Sequence, residues 1–172
     1  MKKKYGILAV VSVLFILIDQ ATKWFIHSHY QLGESTTILQ NFFNITYVRN
    51  MGAAFGFLAE SHPAFREIFF LSMPPIALVI ILLILRGVQD SDRWQIYSLS
   101  SVFAGAIGNY IDRLRFRYVI DFLDFHLYEK YSWPAFNVAD MAIVCGVCAL
   151  LLQMLAENKK SNAENQNAKT AS

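Results

Sequence analysis

Asp121 and Asp140 stand beside apolar residues at what the sequence marks as a membrane boundary. Asp140 opens the last long hydrophobic run, and Asp121 lies in the short segment that leads to it. Ionisable groups at membrane depth are costly and are kept where they have a use. Two carboxylates sharing one proton form an acid/base pair able to drive water into an amide bond. Other polar residues have spacings that let them act together. Asn109, Asp112 and Arg113 are three and four apart and share a helix face. Asp19 and Lys23 are four apart, in the order that favours an ion pair, and Asn137 and Asp140 are three apart.

Depth brings these groups to one level. Asp19 lies about 21 Å along a helix leaving the inner side, in its outer third. Asn109, Asp112 and Arg113 fall in the last turn of a helix running the same way. Asn137 and Asp140 fall in the first turn of one returning. Each group also has a plainer use. Asn137 reads as a helix N-cap and Asp140 as a charge favoured by the macrodipole. Asp19–Lys23 reads as a structural pair, and Asp112–Arg113 as a device that orients the outer loop. Asp121, Asp124 and His126 supply at most half of a metal site, and with no other ligand-like cluster in the chain they read instead as a surface turn or strand edge. Cys145 and Cys148 have CxxC spacing inside an apolar run without further ligands, and read as small packing residues, not zinc ligands.

The elements that must position these groups are membrane helices. Over 172 residues, hydrophobic side chains make up 55% and charged ones 16%, against roughly 25% charged in a soluble domain. A net charge of +2, with scattered basic residues, argues against a nucleic-acid partner. Four stretches, 5–26, 65–85, 94–111 and 137–155, are each long enough to cross a hydrocarbon core of about 30 Å. The expected fold class is membrane all-α: a four-helix transmembrane bundle with a small extracytoplasmic β-rich segment on the membrane surface. One domain is expected over 1–156, with 157–172 as a disordered cytoplasmic tail.

The first stretch also resembles a secretory signal, since Lys2, Lys3 and Lys4 precede an apolar run. The following Asp19-Gln-Ala-Thr-Lys23-Trp24 offers no small-x-small cleavage site, which favours a retained span. The same lysines place the N-terminus inside, and four crossings return the C-terminus inside with Lys159 and Lys160. Arg113, Arg115 and Arg117 then lie outside, where binding of lipid phosphates is a second reading for them.

Two connections lie outside. Segment 32–60 contains Phe43-Asn-Ile-Thr-Tyr-Val-Arg49, whose period of two predicts a strand, followed by the small-residue run Gly52-Ala-Ala-Phe-Gly56. It is expected to cover the site and to gate access. Loop 112–136 carries Asp121. Pro74-Pro75 predicts a kink in the second span, and Ala104 with Gly108 a close helix packing in the third.

Five motifs in order resemble the bacterial lipoprotein signal peptidase family, the type II signal peptidases. They are Asp19-Gln-Ala-Thr-Lys23, Asn50-Met-Gly-Ala-Ala-Phe-Gly56, Gly105-Ala-Ile-Gly-Asn-Tyr-Ile-Asp-Arg113, Val119-Ile-Asp-Phe122 and Phe136-Asn-Val-Ala-Asp140. Ala104 departs from the pattern, standing where many members have a second glycine. The resemblance covers nearly all the chain except its tail. It implies an aspartic endopeptidase of the bacterial inner membrane, active near the outer face as a monomer on lipidated prolipoprotein substrates among membrane lipids. It implies Asp121 and Asp140 as catalytic dyad, with Asp19, Lys23, Asn50, Gly52, Asn109, Asp112, Arg113 and Asn137 binding substrate or supporting the dyad. No metal or other cofactor is expected.

The mechanism expected has one ionised aspartate taking a proton from water while the other, protonated, polarises the scissile carbonyl. Asp140 at a helix N-terminus should ionise more easily, leaving Asp121 to hold the proton. Two other classes stay open on the residues alone: an ion-coupled transporter subunit using intramembrane carboxylates, and a lipid-binding membrane protein reading headgroups through its arginines.

Overall fold

The computed structural model describes residues 3–52, 62–128 and 131–170. The chain runs α1 (Lys3–His29), β1 (Ser35–Leu39), β2 (Phe43–Asn50), α2 (Pro63–Gly87), α3 (Arg93–Phe116), β3 (Val119–Leu127), β4 (Tyr131–Ser132) and α4 (Val138–Thr170). Every helix outruns the apolar stretch that announced it. α2 begins on Pro63, whose ring suits a first turn, and continues through Pro74-Pro75 without a break. Asp92 caps α3 by accepting from the Gln95 backbone N–H at 3.0 Å.

Among the described residues, α1, α2 and the 138–159 part of α4 are long and apolar enough to cross a membrane. They turn Val13, Leu17, Ile68, Leu83, Val144 and Leu152 outward, all well exposed. Such surface suits lipid and would be a liability in water. α3, expected as a fourth span over 94–111, is not among these helices. It carries buried Ser98, Ser100, Gly105, Gly108, Asn109 and Asp112. It packs against α1, α2 and α4, and a helix covered on three sides needs little apolar surface of its own.

Small residues let α3 and α4 approach. A Cβ on Gly108 would sit 2.6 Å from Asp19 Oδ2 and 3.1 Å from the Ala139 Cβ, and one on Gly105 would strike the Ala139 carbonyl oxygen. Ala104 is itself fully buried. Cys145 and Cys148 are free and exposed on the outer face of α4 instead of packing between helices.

Both outer connections contribute to one antiparallel sheet of order β1-β2-β3-β4. Loop 112–136 is therefore less loop than expected: its first residues finish α3, and β3 pairs with β2 so that Val48 faces Asp121 and Asn50 faces Val119. The strand expected over 43–49 is β2. Tyr47, Ile120 and Phe122 form a small core with Ile26 beneath this sheet. The run 53–56 lies outside the described residues. α4 continues helical to Thr170, where a disordered tail was expected. The 157–170 stretch has neither proline nor glycine to stop a helix already nucleated by its membrane part.

Candidate active site

One end of the bundle gathers the ten residues singled out above. α1 brings Asp19 and Lys23, β2 and the turn after it bring Asn50 and Gly52, and α3 brings Asn109, Asp112 and Arg113. β3 brings Asp121, and α4 with the residue before it brings Asn137 and Asp140. The β3 backbone fixes the start of α4. Phe136 O accepts from the N–H groups of Phe122 and Leu123 at 3.0 and 2.8 Å, and Phe136 N–H donates to Leu123 O at 3.1 Å. The next residue, Asn137, is thereby held against Asp121.

Asn137 is fully buried and joins the two aspartates. Its side-chain amide donates to Asp121 Oδ1 at 2.6 Å, and its backbone N–H donates to Asp140 Oδ2 at 3.2 Å. Its Oδ1 in turn accepts from the Asp140 backbone N–H at 2.9 Å, a reciprocal cap of the kind that starts helices. The N-cap reading of this pair and its place beside Asp121 are thus both true. The remaining carboxylate oxygens are met by amides as well: Asn50 Nδ2 donates to Asp121 Oδ2 at 3.0 Å, and Asn109 Nδ2 donates to Asp140 Oδ1 at 2.7 Å.

Asp121 is almost wholly buried, and Asp140 is half-buried. Burial first, and the neighbouring Asp140 charge second, push the Asp121 carboxyl up to about 7, against the opposing amide hydrogen bonds from Asn50 and Asn137. A carboxyl with that value holds or releases a proton near neutrality, as general acid/base chemistry requires.

Behind this pair lies a second cluster. Lys23 Nζ stands 2.9 Å from both Asp19 Oδ2 and Asp112 Oδ2, and all three side chains are buried. The same ammonium donates to Asn109 Oδ1 at 2.8 Å, which turns the Asn109 amino group toward Asp140. Asp112 Oδ2 also accepts from the Ile120 backbone N–H at 3.1 Å, anchoring β3. Asp19 Oδ1 accepts from the Ala139 N–H at 2.8 Å, a carboxylate at the N-terminus of α4.

Arg113 reaches the Gly52 carbonyl at 3.2 Å and lies over the Phe70 ring, clamping the turn in which Gly52 N–H donates to Asn50 Oδ1 at 3.0 Å. Arg117 pairs instead with Glu67 at 3.1 Å. Asp124, three residues from Asp121 and so on the opposite strand face, accepts from Thr46 at 3.0 Å.

Gln20 was not singled out by the sequence. It donates to Asp19, to the Gly108 carbonyl and to Asp112 at 3.0–3.2 Å. An amide next to Asp19 on an apolar helix was the available signal. The contributions of the Ile120 and Ala139 N–H groups carry no side-chain signature at all.

A family model described as signal peptidase (SPase) II matches residues 11–156. The lipoprotein signal peptidase of Syntrophus aciditrophicus (strain SB) is 46% identical over 162 residues, 94% of this chain and 100% of that protein. The lipoprotein signal peptidase of Geobacter metallireducens is 41% identical over 165 residues, covering 96% and 100% of the two chains. Two solved bacterial membrane enzymes share the fold. One has a TM-score of 0.81 at 31% identity, over 90% of this chain and 91% of its own. The other has 0.76 at 29% identity, over 87% and 93%.

Proposed function

This chain belongs to the signal peptidase II family, and from that premise we propose that it is an aspartic endopeptidase of the bacterial inner membrane. It is a lipoprotein signal peptidase, a membrane-embedded protease acting on prolipoproteins. The proposal adds that it cuts diacylglyceryl-modified precursors just before the lipidated cysteine, with Asp121 and Asp140 as the catalytic residues. The observation that carries it is Asn137, one residue hydrogen-bonded to both carboxylates.

Asp140, capped by amides at a helix N-terminus, is the ionised partner and removes a proton from water. Asp121, buried and pushed up to about 7, holds the proton and passes it to the scissile carbonyl oxygen as the water oxygen bonds to carbon. The tetrahedral intermediate collapses when Asp121 takes back a hydroxyl proton and Asp140 gives its proton to the leaving nitrogen. The C–N bond breaks, and both carboxyls end as they began. Asn109 and Asn137 orient the dyad, Asn50 and Gly52 hold the Asp121 side through the Arg113 clamp, and Lys23 with Asp19 and Asp112 fixes Asn109. Every step is a proton transfer between these side chains, water and substrate.

The topology proposed has four crossings, with α3 the sheltered one, both termini cytoplasmic and the dyad near the outer face. There the substrate's signal helix arrives through lipid while water enters from the sheet side, and one copy of the chain carries the complete site. Cleavage of a diacylglyceryl-modified prolipoprotein by purified protein in detergent tests this reading, comparing wild type with Asp121→Asn and Asp140→Asn. Loss of nearly all turnover in both folded variants is expected. If both still cut, the dyad is wrong. If wild type leaves the precursor whole, ion transport or lipid binding becomes the better reading of these carboxylates.

A further inference from the structure

At the end of the bundle remote from the dyad lies a cavity of about 550 Å³. It sits where α2 ends, α3 begins and α4 passes by, with Ile84, Leu99 and Leu150 among its walls. α2 and α4 both pack on α3 without a substantial contact with one another, and the cavity occupies the mouth of the gap between them.

Its polar lining is one-sided. Asp92 and Glu157 bring two carboxylates, and no lysine, arginine or histidine is among the lining residues. Gln153 spends its amino group on both carboxylates, donating to Asp92 Oδ2 and Glu157 Oε1 at 2.9 Å each. Its own carbonyl oxygen, Oε1, is buried and receives no hydrogen bond among the described residues. Lys4, whose ammonium meets this end of α2, donates to the Arg86 and Val88 carbonyls at 2.8 and 2.6 Å. Neither Asp92 nor Glu157 has an ion pair among the described residues. Among the described residues, the pocket lining therefore presents three acceptors and no cationic donor.

We propose that this cavity binds a lysine or arginine side chain from the positively charged N-terminal region of the substrate's signal peptide. The inference rests on the signal peptidase reading and on the cytoplasmic placement of this end. The geometry of the substrate matches. From Asp140, Gln153 and Glu157 lie about 20 and 26 Å down α4 at 1.5 Å per residue. A signal helix beside α4 would bring to the cavity the residues about 13–17 positions before the scissile bond. Signal peptides place their basic residues just beyond an apolar region of about 7–15 residues, so the longer apolar regions reach this interval. The apolar region would lie along the gap between α2 and α4, with the cationic head taken up by Asp92, Glu157 and Gln153 Oε1. The contact is remote from the bond broken, so it contributes equally to ground and transition states and acts on KM.

The test uses the full-length protein in vesicles of phosphatidylglycerol with and without phosphatidylethanolamine. Two lipidated precursors are compared, one with its N-terminal lysines and one with those lysines changed to glutamine. The enzymes are wild type and Asp92→Asn/Glu157→Gln, in which asparagine preserves the helix cap. For the lysine precursor the double variant is expected to raise KM about 3- to 10-fold with kcat unchanged, and for the glutamine precursor neither should move. An equal loss on both precursors in both vesicles assigns these residues a structural role and overturns the proposal. An equal loss only with phosphatidylethanolamine gives the cavity to a lipid ammonium and also overturns it. No change on either precursor overturns it as well. Failure of the wild type to cut either precursor would instead remove the peptidase reading on which the proposal stands.

Discussion

Two pairs of carboxylates occupy the same end of the bundle, and they differ in what stands between them. Asp19 and Asp112 share the ammonium of Lys23, at 2.9 Å from each. Asp121 and Asp140 share Asn137, which offers hydrogen bonds but no charge. A cation between two carboxylates lets both stay ionised, while a neutral amide leaves their mutual repulsion standing, so one of them is pressed to keep a proton. On the proposed reading, residues of one type at the same end of the bundle are thus separated into a structural cluster and a reactive one by the charge of the bridging group. Asn109 couples the two, accepting from Lys23 on one side and donating to Asp140 on the other.

The largest expected effect breaks the reactive pair alone. Asp121→Asn and Asp140→Asn should each lower kcat by a factor of about 1,000 or more, since a dyad works as a unit, while thermal unfolding in detergent changes little. Loss of the fold in step with activity would erase the distinction between the clusters. The structural pair should behave in the opposite order. Lys23→Met leaves Asp19 and Asp112 buried together without their cation, at a cost of about 3–5 kcal/mol, read as a large drop in unfolding temperature. Adding Asp19→Asn should recover part of that stability by removing one of the two uncompensated charges. No recovery would mean that Lys23 acts through packing instead.

A smaller effect probes how closely the helices must approach for Asp19 to reach α4. Gly108→Ala would bring a methyl group to 2.6 Å from Asp19 Oδ2, pushing that carboxylate away from Lys23 and Ala139. Overpacking of this kind costs about 1–3 kcal/mol, and hydrogen exchange at the Ala139 amide should rise with it. Unchanged protection there would show that α1 yields without losing the contact.

Much of this arrangement was legible because it is carried by side chains at helical spacing. Asp19 and Lys23, Asn109 and Arg113, and Asn137 and Asp140 advertise their faces, and helix length alone puts them at one depth. Asp121 was visible as a charge in an apolar segment, but its strand pairing was not, because β2 and β3 come from connections separated by two helices. The sequence pattern fixes which residues alternate on one strand and is silent on which strand lies opposite. α3 was expected as a span over 94–111, but an uncharged stretch says nothing about how many neighbours cover it, and the three helices packed on it were not visible. The backbone donors of Ile120 and Ala139 were invisible for the same reason, and Gln20, an amide beside Asp19, gave a signal that named no partner: their roles are set by packing. Of the segment 32–60, expected to cover the site, residues 53–60 lie outside the described residues, while β2 is tied into the sheet beside Asp121 and supplies Asn50 to it.

The finest prediction concerns that Asn50 contact. Asp121 is held well above the ordinary aspartate range, so the fold favours its protonated form. The stability this contributes is present in acid and is lost as pH rises through about 7. If Asp121 must be protonated to polarise the carbonyl, kcat should fall on the alkaline side around the same pH. The Asn50 hydrogen bond favours the ionised carboxylate and opposes the upward push of burial and of Asp140. Asn50→Ala should therefore raise the Asp121 value further and move the alkaline limb to higher pH, with a loss under about tenfold at the optimum. Asp140→Asn should move the Asp121 titration the other way, because it removes the neighbouring charge that holds the proton on. Following the Asp121 carboxyl by infrared difference spectroscopy in both variants reads the two directions without needing turnover. A shift of the same sign in both would mean that desolvation alone sets the value, and that the neutral bridge at Asn137 is not what separates this pair from the one held by Lys23.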